Sequence, residues 1–290
     1  MMKKQRKLGK AMFRVKNMKK CFVIILCALM LQFPVPAQGS GEVKLPILMY
    51  HQISEDWRKW NDYVISVNEF ESDMDFLKEN GFQTISVQQL LDWYNGEFEM
   101  PEKPVMITFD DGFESTLTYA EPILTGHGFC AVVAVIGSVC DKFSYEDEVG
   151  HDWSHMNWEE TVEMARRGVI EVQCHTWDMH ELSPRRGCGK IKWESAEEYR
   201  RVLEKDLSEF LTQSMNYGLS LVPTIAYPYG EYCRNTTEIV KDLGFCGAFT
   251  CDQKTNLLTG DGEELYHLAR YNRPHGWNGQ KILYFLQENC

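Results

Sequence analysis

The run Val105-Met106-Ile107-Thr108-Phe109-Asp110-Asp111-Gly112 decides how this chain is read. Its first five residues form an unbroken apolar and β-branched stretch, the mark of a strand buried on both faces. It then ends abruptly in two carboxylates and a glycine. An isolated Asp-Gly is an ordinary turn. Two adjacent carboxylates at the C-terminal end of a buried strand offer more. Their side chains diverge, so one can bind a metal while the other takes a proton. The glycine lets the backbone turn away tightly behind them.

Working outward, similar apolar runs recur at Leu45–Tyr50, Phe129–Ile136, Val169–Cys174, Leu221–Tyr227 and Phe245–Thr250. Helical patterns lie between them. Phe70, Met74 and Leu77 share one helix face, and Ser66 with Glu69 has the spacing of a capping box. Glu159–Arg167, Ala196–Tyr217 and Thr236–Leu243 are further helices. Short strands alternating with helices specify an α/β fold with a parallel sheet, open or closed into a barrel. Residues 45–290 read as one domain, preceded by a short linker at 38–44. In such folds chemistry gathers at the C-terminal strand ends.

Two more polar clusters follow strand-like runs. His175-Thr176-Trp177-Asp178-Met179-His180 places two histidines five apart in a loop, where they can converge on one ion. A set of two histidines and one aspartate leaves a coordination position for water. Tyr227-Pro228-Tyr229-Gly230 is a corner that presents backbone N–H groups and aromatic rings, and by itself it reads as a turn.

Composition limits the partners. Of 290 residues, 44% are hydrophobic and 25% charged, which is ordinary for a globular protein. The net charge of −12 conceals a split: residues 1–37 carry nine Lys/Arg and no acids, leaving −21 on the remainder. So acidic a body is a poor general binder of nucleic acid. No Gly-rich phosphate loop follows a strand, which disfavours nucleotides. The basic start, the apolar run Cys21–Leu31 and the small-residue end Val35-Pro36-Ala37 have the pattern of a secretory signal. That run is shorter than the roughly 20 residues of a membrane span. Export is therefore expected, to the medium or the cell surface, with membrane contact only if residues 1–37 stay attached. Eight of the ten cysteines follow Ala37, an even number that in an exported chain hints at disulfides.

Together, Thr108-Phe109-Asp110-Asp111-Gly112 and His175-Thr176-Trp177-Asp178-Met179-His180 resemble the first two motifs of the polysaccharide deacetylases, carbohydrate esterase family 4. The five-residue histidine spacing, Leu48-Met49-Tyr50-His51 and Ala226-Tyr227-Pro228-Tyr229-Gly230 are similar to the poly-β-1,6-N-acetylglucosamine N-deacetylase branch. The resemblance implies a deformed (β/α) barrel of about seven parallel strands. It implies a divalent metal, usually zinc, on Asp111, His175 and His180, with Asp110 as general base. It implies that the Tyr229 backbone N–H supports the oxyanion, and that His51, Trp177 and Tyr227 line the substrate site. The substrate would be an acetylated polysaccharide, with N-deacetylation of GlcNAc units as the reaction. O-acetyl glycans, or glycan binding without catalysis, are the alternatives.

Two departures from the family pattern stand out. Ala226 occupies the place of an arginine that pairs with the base in many members. The usual C-terminal Leu-x-His that supplies the general acid is not evident, and His275 in Arg273-Pro274-His275-Gly276-Trp277 is the expected substitute. Trp57, Trp60 and Trp177 are rings suited to stacking on sugars. Asp152 and Trp158 are the counterparts expected for a further family motif.

Overall fold

The computed structural model describes residues 42–145 and 154–288. The expected signal segment and Asp152 lie outside the described residues. Twelve strands are described: β1 (Val43–Leu45), β2 (Ile47–Tyr50), β3 (Gln52–Ile53), β4 (Val64–Ile65), β5 (Gln83–Thr84), β6 (Pro104–Phe109), β7 (Ala131–Val135), β8 (Ile170–Cys174), β9 (Thr224–Ala226), β10 (Gly247–Phe249), β11 (Asn256–Leu258) and β12 (Tyr271–Asn272). The α-helices are α1 (Val67–Glu79), α2 (Val87–Tyr94), α3 (Glu121–His127), α4 (Gly137–Tyr145), α5 (Trp158–Arg167), α6 (Ala196–Asn216), α7 (Arg234–Asp242) and α8 (Gly279–Glu288).

The main sheet runs β10-β9-β8-β7-β6-β2-β12, with β5 beside the start of β6, and its pairings are all parallel. This is the parallel sheet expected from the strand–helix alternation, curled into the deformed barrel that the family resemblance implies. Its centre is continuous: β6 and β7 are buried at every residue. Leu45–Tyr50 divides in two at Pro46, which lacks the N–H a strand interior needs. Val43–Leu45 pairs instead with β11, antiparallel.

The stretch Leu268–Asn272 bridges the two sheet edges. Leu268 N–H donates to the Ala248 carbonyl and the Thr250 N–H donates to the Leu268 carbonyl. Three residues on, Tyr271 and then Asn272 pair with Leu48 and Met49 of β2. One short segment thus ladders on β10 at its start and on β2 at its end, closing the barrel.

The helices form where local chemistry starts them. Ser66, Ser86, Asn157 and Ser195 each close a capping box at the head of α1, α2, α5 and α6. Trp158 is fully buried at the start of α5, stacked on Tyr217. The seven described cysteines are free thiols; Cys140, Cys174 and Cys188 are buried. They behave as small hydrophobes rather than the disulfide framework the count suggested. Among the described residues no helix is long and apolar enough to cross a membrane.

An ionic lock ties α1 to the chain that leaves β12. Arg273, nearly fully buried, donates through Nε and Nη2 to the Asp73 carboxylate at 2.7 and 3.0 Å. Tyr50 Oη donates to the same carboxylate at 3.0 Å. Asp73→Ala would leave the guanidinium buried beside a cavity. We expect a loss of about 3–5 kcal/mol, read from the urea midpoint with the slope unchanged.

Candidate active site

Three loops at the C-terminal ends of β6, β8 and β9 meet. Each contains a residue that is not glycine yet has left-handed backbone: Asp111 (φ 70°), Thr176 (φ 72°) and Tyr229 (φ 59°). No other non-glycine residue does so among the described residues. Such conformations persist only where surrounding structure enforces them. Gly112 shows one constraint directly. Its φ is +77°, and a Cβ there would stand 2.9 Å from Val135 Cγ1. The glycine lets the Asp110-Asp111 turn press against β7.

Asp111 Oδ1 lies 3.3 Å from His175 Nε2 and 3.3 Å from His180 Nε2. These three atoms lie within 4.8 Å of one another. His175 donates its Nδ1–H to the Ala226 carbonyl at 2.8 Å, which leaves Nε2 facing Asp111 with its lone pair available. The Tyr229 hydroxyl, 3.1 Å from His180 Nδ1, steadies the second ring. Asp111 Oδ1 is buried with no hydrogen-bond partner. Two imidazole nitrogens and one orphaned carboxylate oxygen are a donor set that fits a divalent cation. Burial alone would raise the Asp111 carboxyl, but its contacts with His175 and His180 hold it well below the ordinary value.

Asp110 points elsewhere. It is buried and bound in a two-pronged pair with Arg270: Nη1 to Oδ1 at 2.6 Å and Nη2 to Oδ2 at 2.8 Å. Arg270 is fully buried and also donates its Nε–H to the Thr250 carbonyl at 3.0 Å. Burial pushes Asp110 upward, yet the Arg270 guanidinium, with His175, keeps it below the usual carboxylate value. The Ala226 position thus contributes only its carbonyl, and an arginine from the barrel seam supplies the positive charge. Sequence reading missed Arg270. The available signal was a lone arginine in the mostly apolar stretch Leu265–Tyr271, because a buried guanidinium requires a partner.

His51 follows β2 and senses the same centre. Burial lowers its pKa, while the Asp110 and Asp111 carboxylates pull it upward. Its Nδ1 is buried with no hydrogen-bond partner. The His175–His180 loop is braced from behind by Asp206, which accepts the Trp177 and Asp178 N–H groups at 2.8 Å each.

Asp110, Asp111, His175, His180, Tyr229 and His51 are therefore brought together. Three expected residues are placed otherwise. Tyr227 is fully buried, its ring stacked on Tyr232 at 5.0 Å, so no surface remains for a glycan. His275 has its Nδ1 on Glu69 at 2.8 Å and its ring against Trp60. Trp177 is half-buried and packs on Gly137, where a Cβ would come within 2.5 Å of its ring.

The family described as polysaccharide deacetylase matches residues 98–248. The chain belongs to the polysaccharide deacetylase family. It is 26% identical over 245 residues to the poly-β-1,6-N-acetyl-D-glucosamine N-deacetylase of Escherichia coli K12, covering 78% of this chain but 36% of that protein. Its similarity to the Staphylococcus aureus (strain MRSA252) enzyme of the same name is 28% over 206 residues, covering 71% of this chain and 66% of that one. Among solved structures, a de-N-acetylase from Aggregatibacter actinomycetemcomitans superposes with a TM-score of 0.72 at 25% identity. That match covers 84% of this chain and 100% of the other.

The donor triad is testable without turnover. Dialysis against zinc or cobalt should leave one ion per chain in the wild type, and His180→Ala or Asp111→Ala should retain almost none. At a free metal concentration of 100 times Kd, the ion should add about 2.7 kcal/mol to wild-type stability. Calorimetric melting with and without metal checks this, and the two variants should show no such gain.

Proposed function

We propose that the protein is an exported, metal-dependent N-deacetylase of a GlcNAc polysaccharide, with β-1,6-linked chains as the first substrate to test. The observation that carries this reading is the division of labour between adjacent residues. Asp110 is held charged by Arg270, while Asp111 faces two oriented histidines. The names of the relatives support the substrate. The basic and apolar start of the sequence supports export.

Asp111, His175 and His180 would hold the metal, zinc being the natural occupant of such a donor set. When bound, the ion would supply Lewis acidity to the acetamide carbonyl and to water. The residues of the chain would do the rest. Asp110, ionised and fixed by two hydrogen bonds, takes the proton of the attacking water. The Tyr229 backbone N–H, presented by its left-handed corner, faces the oxygen that gains charge. His51 delivers a proton to the departing amine, a role for which its buried, unpartnered Nδ1 and its nearness to both carboxylates fit it better than His275. Acetate leaves and glucosamine remains on the polymer.

The decisive experiment is acetate release from β-1,6-linked GlcNAc oligomers by metal-loaded protein. Asp110→Asn should abolish release, and His51→Ala should cut it by about 10²–10⁴ while metal content stays at the wild-type level. No acetate from metal-loaded wild type with any GlcNAc oligomer would overturn the reading.

The Arg270 pair makes a pH prediction. In the wild type Asp110 is depressed, so it stays ionised and useful well into acid. Arg270→Met removes the largest compensating charge and leaves burial opposed only by His175 and His51, which raises the carboxyl relative to the wild type. The acid limb of kcat/KM should then move to higher pH, and Arg270→Lys should fall between.

A further inference from the structure

The base and the oxyanion donor come from strands that are not neighbours. Asp110 follows β6 and Tyr229 follows β9, with β7 and β8 between them in the sheet. That route crosses three strand pairings. The last of them is a single residue pair, Cys174 with Ile225. The sheet alone is therefore a thin support for the spacing of these two groups. A shorter route runs through the turn Thr250-Cys251-Asp252, which leaves β10.

This turn grips Arg270 with its backbone. The Thr250 carbonyl accepts the Arg270 Nε–H at 3.0 Å, and the Asp252 carbonyl accepts the Arg270 backbone N–H at 2.9 Å. The Thr250 N–H donates to the Leu268 carbonyl at 2.8 Å, which ties the turn to the segment that carries the arginine. Cys251, half-buried, lies between the two carbonyls in sequence. Burial raises its thiol, and the Arg270 guanidinium beside it acts in the opposite direction. Cys251 also presses on Gly230, the residue after Tyr229. A Cβ on Gly230 would stand 2.8 Å from Cys251 Cβ and 3.2 Å from its Sγ. The Tyr227 N–H, which donates to the Phe249 carbonyl at 3.0 Å, brings the same corner up to the end of β10.

We propose that Cys251 is a positioning residue that spaces Arg270, and through it the Asp110 carboxylate, from the Tyr229-Gly230 corner. The proposal rests on the deacetylase reading of the site. In that reaction Asp110 addresses the water while the Tyr229 N–H addresses the carbonyl oxygen, so the two must be in register at the same moment. A misplacement of about 1 Å between such groups can cost about a hundredfold in rate. Two side chains, Arg270 and Cys251, span the gap that the sheet crosses in three pairings. A small apolar residue would fill the space against Gly230, whereas the thiol also sets a polar atom beside the guanidinium.

The test compares Cys251→Ala, which removes the sulfur, with Cys251→Ser, which keeps a small polar atom. The first reading is amide hydrogen exchange of the metal-loaded protein, followed by mass spectrometry. Exchange in residues 227–231 should quicken about tenfold in Cys251→Ala and stay near wild type in Cys251→Ser, with β7 unchanged in both. The second reading is steady-state acetate release from an acetylated β-1,6-linked GlcNAc pentamer. Cys251→Ala should lower kcat about tenfold at unchanged KM, and Cys251→Ser should recover most of that loss. A contact that only fills space would lower the melting temperature and leave both readings at wild type, and that result would overturn the proposal. A loss confined to KM would do the same. If Cys251→Ala melts early, Cys251→Val, which fills the space without a polar atom, is read against the same outcomes. A wild type that releases no acetate would sink the deacetylase reading alone, and the exchange comparison would still decide whether Cys251 holds the corner.

Discussion

The buried pair between Asp110 and Arg270 is the interaction on which the site depends. A carboxylate so deeply enclosed would ordinarily take up a proton, and a protonated carboxyl cannot act as a base. The guanidinium prevents that, and its two parallel hydrogen bonds fix the carboxylate plane. The neighbouring Asp111 can then be turned away toward the histidines, because its charge is satisfied separately. The left-handed turn at Asp111 separates the two roles, and Gly112 makes that turn sterically feasible.

The remaining loops serve the same end. Asp206 ties down the segment between the two histidines, the Ala226 carbonyl selects the tautomer of His175, and the Tyr229 hydroxyl steadies His180. Each of these contacts joins a different strand or helix to the donor set. Rigid elements position the ligands, while the strained backbone is confined to three residues at the mouth of the barrel.

Much of this was legible in the residues alone. The buried runs at Val105–Phe109, Phe129–Ile136 and Val169–Cys174 became β6, β7 and β8 because continuous apolar sequence has few alternatives to a two-sided burial. The capping box at Ser66 and Glu69 likewise marked the start of α1. The short strand Tyr271–Asn272 gave no periodic signal, since two residues carry none, and with it Arg270 went unseen. Tyr227 misled for another reason: an aromatic beside a functional corner can face either way, and burial is a property of the fold. His275 had the right chemistry in a plausible turn, but its position was decided by Glu69 and Trp60, which are more than 200 residues distant in the chain.

The closure of the barrel by Leu268–Asn272 has a consequence for the life history of the molecule. The carboxylate of Asp110 is synthesised more than 150 residues before the arginine that keeps it charged. During synthesis the other side chains of the site are made before that counter-charge. The site therefore completes itself only when the final barrel segment docks, so that a chain still being synthesised lacks the charge that keeps Asp110 ionised.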